Sequence, residues 1–201
     1  MSQNGFVKIA AILLVVSSAI DALIGIVTNL NPALANPQGS FFLWAGVVLV
    51  GLHVLEVIGV LGFWASGASG KGWLARIGLS AAVIGYVLII VAEATLRVSL
   101  DQGNNLFGLA TPFAGLGFIL AGIAVIRAKQ WTGWQMLIPL IIGLYPFVVL
   151  LPAFAITQGP NFLAIAGWSV CRLALGIALA QTSQNKITNP NRGTLQSIAV
   201  K

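Results

Sequence analysis

The run from Phe41 to Trp64, FFLWAGVVLVGLHVLEVIGVLGFW, decides the fold class. It is apolar at nearly every position, and a helix of its twenty-four residues is about 36 Å long. That length crosses a hydrocarbon core of about 30 Å with some tilt. Two residues break the pattern: His53, the chain's one histidine, and Glu56 one turn later. An ionisable side chain in hydrocarbon is costly unless it finds a partner or a wet cavity. His53 and Glu56 are therefore expected to face the inside of a helix bundle, with the other helices placed to receive them.

The rest of the chain agrees with this reading. Its 201 residues are 58% hydrophobic and 7% charged, against about 25% charged in soluble domains. Such a composition excludes a water-covered globular domain. The net charge of +6 comes from basic residues scattered between apolar runs, which form no basic face for nucleic acid. They are assigned to membrane orientation and to contact with anionic headgroups. Cys171 is the single cysteine; it falls in an apolar run and reads as a structural thiol with no disulfide partner in the chain. The first apolar run is too long for a cleaved signal and contains Asp21, so it is expected to be a retained span.

Six apolar runs lie at approximately 6–29, 41–64, 73–97, 106–127, 133–156 and 162–181. The predicted fold is all-α: one six-span transmembrane bundle over 1–181, followed by a polar cytoplasmic tail over 182–201. Short connectors with turn residues separate the spans: NPALANPQGS, SGASGKG, SLDQGNN, AKQWT and TQGPN. Lys8, Lys71, Arg76, Arg127, Lys129, Lys186, Arg192 and Lys201 all fall on one side of this topology. The positive-inside rule then puts both termini in the cytoplasm of a cell-membrane protein. Trp64, Trp73, Trp131 and Trp134 mark the inner headgroup level, and Phe41, Phe42, Trp44, Phe107 and Phe162 the outer one.

A weak internal repeat accompanies the spans. Odd helices open with Gly5-Phe6, Gly72-Trp73 and Gly133-Trp134, and Gln38-Gly39, Gln102-Gly103 and Gln158-Gly159 precede the even ones. One reading is three tandem helical hairpins; the other is that helix-start turns and interfacial aromatics recur in any such protein. Small residues at Gly117, Ala121, Gly122, Gly176 and Ala180 suit close helix packing. The fifth run contains Pro139, Pro146 and Pro152, which read as structural kinks or as a discontinuous transport helix.

All four acids, Asp21, Glu56, Glu93 and Asp101, lie in or at the edge of the spans, with Arg97 and Arg172 among them. Counted along each helix from its inner end, Glu56 lies roughly 12 Å up, Arg172 about 14 Å and His53 about 17 Å. Asp21 follows at about 22 Å and Glu93 at about 30 Å. His53, Glu56 and Arg172 thus share a midplane layer. One reading is an ion- or substrate-binding centre of His53, Glu56 and Arg172, extended outward by Asp21 and Glu93. Such a centre relays protons or holds a small charged solute, since histidine exchanges protons near neutral pH. The other reading is a structural Glu56–Arg172 pair that fixes helix register. Glu93 and Arg97, four residues apart, read as a local structural pair, with Arg97 reaching the outer headgroups.

Patterns for intramembrane enzymes are incomplete. Gly67-Ala68-Ser69-Gly70 resembles the GxSG of rhomboid proteases but sits in a connector far from His53. Glu93 and Arg97 match a fragment of the CAAX-protease signature without its second acid. One histidine is too few for a bis-histidine haem, and no cofactor is predicted; a haem or chlorophyll held through His53 alone is the remaining option. Three function classes stay open. The first is a small transporter or channel-like protein handling protons, ions or a small polar solute. The second is a non-catalytic scaffold, assembly factor or subunit of a larger membrane complex, and the third a pigment- or haem-holding protein. The expected partners are the lipid bilayer and a second copy or a membrane-complex subunit.

Overall fold

The structure, a computed structural model, describes residues 2–188. Among these, all regular structure is helical. Six helices are long and apolar enough to cross a membrane: α1 (Gln3–Leu30), α2 (Ser40–Ser66), α3 (Trp73–Thr95), α4 (Leu100–Ala128), α5 (Ile138–Thr157) and α6 (Phe162–Thr188). This is the architecture of a multi-pass membrane bundle. Its outer surface is apolar, with Leu23, Val47, Leu109 and Val148 exposed, while Ser17, Ser18, Asp21, Glu56, Ser169 and Arg172 are buried. In water that distribution would be inside out; in hydrocarbon it is the stable one.

Capping chemistry sets several helix ends. The Ser2 hydroxyl accepts from the Gly5 amide, and Asn161 Oδ1 accepts from Ala164. Gly67, at φ +75°, ends α2 in the left-handed conformation that glycine adopts without cost. Helix α4 begins at Leu100, six residues before the expected 106, because SLDQ is not a connector. Ser99 is its N-cap, accepting from the Gln102 amide at 3.4 Å, and Asp101 occupies the first turn. The Ser-x-x-Gln spacing is that of a capping box. Gln102-Gly103 accordingly lies inside α4 rather than ahead of it.

Helix α6 continues past the expected 181. Residues 181–188 contain neither glycine nor proline, and the Thr182 and Ser183 hydroxyls bond back to Ala178 and Ala180. Tail positions 189–201 lie outside the described residues. The fifth span opens later than expected, with a 3-10 turn at Gly133–Met136 before the α-helix starts at Ile138. Within α5 the Pro146–Leu150 segment widens to a π-type turn, in which the Leu151 amide bonds Pro146 O.

The largest packing interfaces are α3–α4 and α1–α6, followed by α1–α2, α4–α5 and α2–α3. Helices α1–α2 and α3–α4 form hairpins, but α6 packs mainly on α1 and touches α5 much less, so the third hairpin is not close-packed. Small residues explain the tight pairs. A Cβ on Gly117 would stand 2.3 Å from Ala82 N, and one on Gly176 2.7 Å from Val15 Cγ2. Trp73, Trp134 and Trp44 are exposed at the helix ends. Trp131 instead turns inward, 3% exposed, against Phe63 at 5.4 Å between ring centroids. It therefore belongs to the core and not to the inner aromatic belt.

Candidate functional site

Asp21 of α1, Glu56 of α2 and Arg172 of α6 meet in the bundle interior, 3%, 0% and 2% exposed. Arg172 Nη2 donates to Asp21 Oδ2 and, at 2.7 Å, to Ser169 Oγ. The Ser169 hydroxyl in turn donates to the same Asp21 oxygen at 2.6 Å. Arg172 Nε lies 3.2 Å from Glu56 Oε1, an ion-pair distance without the alignment of a hydrogen bond. The second Glu56 oxygen is 3.1 Å from His53 Nδ1. A continuous polar line therefore runs His53–Glu56–Arg172–Asp21–Ser169.

By rise per residue Asp21 stands a turn or more beyond Arg172, yet the two are in direct contact. Helical side chains lean toward the N-terminus of their own helix. Because α1 and α6 run in opposite directions, Asp21 leans toward one membrane face and Arg172 toward the other, and they meet between their Cα levels. Arg172 is thus shared by two carboxylates rather than paired with Glu56 alone.

Two aromatic rings close over the guanidinium. Trp168 stands 4.6 Å from it and Tyr86 5.9 Å, with the rings stacked on each other at 6.2 Å. The Trp168 indole N–H donates to Ile142 O at 3.0 Å. That carbonyl would normally accept the amide of residue 146, but Pro146 has none. The proline in α5 therefore creates the acceptor that fixes the tryptophan over Arg172. The hydroxyls of Ser18, beside Glu56, and Tyr86, beside Arg172, are buried without an aligned hydrogen-bond partner.

Ser18, Tyr86, Trp168 and Ser169 are additions to the expected site. Three had a signal in helical spacing: Ser18 lies three residues before Asp21, and Ser169 and Trp168 three and four before Arg172. Tyr86 had none, since its contact depends on how α3 packs.

Glu93, 6% exposed, pairs with Arg97 at 2.8 Å. Its carboxylate makes no hydrogen bond or ion pair to any member of the His53–Ser169 line. Arg97 packs on the first turn of α2, donating to Phe42 O at 2.8 Å and Leu43 O at 2.9 Å, with its guanidinium over the Phe42 ring.

Ser69 is buried in the α2–α3 connector, some 20 Å along the helix axis from His53. Among the described residues no group of three His, Cys, Asp or Glu side chains is placed to hold a metal ion. A hollow of about 60 Å³ opens at the end of α1, α2 and α6, lined by Gln3, Asn4, Val7, Ala65, Ser66, Thr182 and Ser183, none of them in the charged centre.

No protein-family model matches the chain, and no curated protein or solved structure is significantly similar to it.

Proposed function

We propose that the protein is a small proton-handling membrane transport protein whose working group is the buried centre of His53, Glu56, Arg172 and Asp21, with Glu93 on its outer side. One observation carries this reading: two carboxylates surround one guanidinium in a site at most 6% exposed. With His53 neutral the group has one net negative charge in low dielectric, an unfavourable state. A single proton, taken up on the imidazole against Glu56, balances it. The centre then has two charge states differing by one proton, which is what passing protons along the membrane potential needs. The distribution of basic residues supports an orientation with both termini in the cytoplasm.

The test is proton flux. Protein reconstituted into vesicles holding a pH-sensitive dye should move protons under an imposed potassium diffusion potential. His53→Gln and Glu56→Gln should abolish the movement. Wild-type vesicles as tight as protein-free ones would overturn the reading.

A second reading, a scaffold or subunit of a membrane complex, is favoured by the closure of Trp168 and Tyr86 over Arg172, which makes the centre a brace across α1, α2 and α6. Tight wild-type vesicles would support it. The pigment or haem reading needs a slot for a macrocycle beside His53, whose side chain is 8% exposed; absence of visible absorbance in the purified protein would set it aside.

A further inference from the structure

A groove of about 340 Å³ runs along the outside of the α3–α4 pair, lined by Arg76, Ile77, Ser80, Ala81, Ile84 and Phe113. Its origin lies in the packing. Gly78, Ala82 and Gly85 of α3 bring its backbone against Gly117, Ala121 and Ala114 of α4. The small residues Ser80 and Ala81 then form a floor, while the exposed Ile77, Ile84 and Phe113 form the walls. From Ile77 to Ile84 the groove extends about 10 Å along the helix axis, within a span that faces hydrocarbon.

Arg76 closes one end. It is exposed and has no carboxylate partner among the described residues. Lys8, Lys71, Arg127 and Lys129 lie at the same end of the bundle, whereas Asp21, Glu56 and Glu93 are paired inside and Asp101 is at the opposite end of α4. An apolar groove within the bilayer with an unpaired cation at its headgroup end matches an acyl chain joined to an anionic group, and in a bilayer the bulk ligand of that chemistry is a phospholipid. A net anionic headgroup fits better than a zwitterionic one, because the latter brings its own cation to a basic surface. We propose that this groove is a binding site for one anionic phospholipid, with an acyl chain between Ile77, Ile84 and Phe113 and the phosphate on Arg76.

The experiment reconstitutes the full chain in vesicles of equal phosphatidylglycerol and phosphatidylcholine, extracts it in mild detergent and counts retained lipids by native mass spectrometry. Wild type should retain phosphatidylglycerol with about a fivefold preference, the scale of one basic side chain near an anionic headgroup. Arg76→Gln removes the charge and leaves the groove; Ala81→Phe fills the groove and leaves the charge. Each should lower the preference to that of the surrounding bilayer, while Lys129→Gln should not. Ala81→Leu is a second filler should the phenylalanine variant fold poorly. Unchanged retention in both filled variants, or an equal loss in Lys129→Gln and Arg76→Gln, would mean diffuse surface charge and no site.

Discussion

Gly46 of α2 leaves the space that the Arg97 guanidinium occupies: a Cβ there would stand 0.7 Å from Arg97 Nη2. The glycine is two turns before His53 on the same helix face, so Arg97 lies across α2 between the buried centre and the N-terminal end of that helix. Gly46→Ala should expel the guanidinium and deprive Glu93 of its partner. The expected loss of stability is about 1–3 kcal/mol, the cost of stranding a largely buried polar group. Thermal unfolding in detergent should give similar losses for Gly46→Ala and Arg97→Gln, and little further loss in the double variant. Additive losses would mean that the glycine acts independently of Arg97.

Arg172 serves two carboxylates, and this predicts an asymmetry. Arg172→Gln leaves Asp21 and Glu56 together without a cation and should cost about 3–5 kcal/mol, as for other broken buried pairs. Asp21→Asn or Glu56→Gln leaves Arg172 with one carboxylate and should cost less. Asp21 keeps Ser169 as a donor and Glu56 keeps His53. If either carboxylate variant proves less stable than Arg172→Gln, the guanidinium is not the hub of the centre.

Chain polarity is tested separately. A cytoplasm-dependent fluorescent reporter fused after Lys201 should light up, because the basic residues gather at the end of the bundle where α1 begins and α4 ends. A dark fusion, with an export-dependent reporter active instead, would reverse the orientation.

The spans were legible because hydrocarbon imposes long apolar runs, and the ionisable residues stood out within them. The start of α4 was legible too: Ser99 and Gln102 carry the capping spacing, outweighed by the turn-like look of Gly103, Asn104 and Asn105. The Asp21–Arg172 contact depends on the opposite lean of the two side chains, which Cα heights alone do not carry. Other features were beyond the sequence. The inward turn of Trp131, the role of Tyr86 and the α1–α6 contact depend on helix rotation and order around the bundle, which apolar composition on every face does not encode.

The α3–α4 interface yields a sharper packing test. Gly117 faces the Ala82 backbone, and a Cβ at 2.3 Å from Ala82 N has no flexible side chain to displace. Gly117→Ala should therefore destabilise by about 1–3 kcal/mol through overpacking. Gly108, whose Cβ would meet nothing within 4 Å, should accept alanine without loss. Equal melting temperatures for the two variants would show that the helices separate readily.

The last prediction links Pro146 to Arg172 through Trp168. Pro146 lacks the amide that would bond Ile142 O, and the indole N–H of Trp168 takes that place at 3.0 Å. Trp168→Phe retains an aromatic face for the guanidinium but leaves the buried carbonyl unpaired, at an expected cost of about 1–3 kcal/mol. Pro146→Ala restores a backbone donor one helical turn after Ile142, so it competes with the indole for the same carbonyl. In the double variant the new amide satisfies the carbonyl that Trp168→Phe strands. The double loss should accordingly be smaller than the sum of the two single losses. Strict additivity would mean that the π-type turn persists without the proline and that the indole bond is incidental. The proton-flux assay adds a functional readout. If the ring is held over Arg172 for the working of the centre, Trp168→Phe should alter flux, and Pro146→Ala should alter it in the same direction by loosening the same anchor.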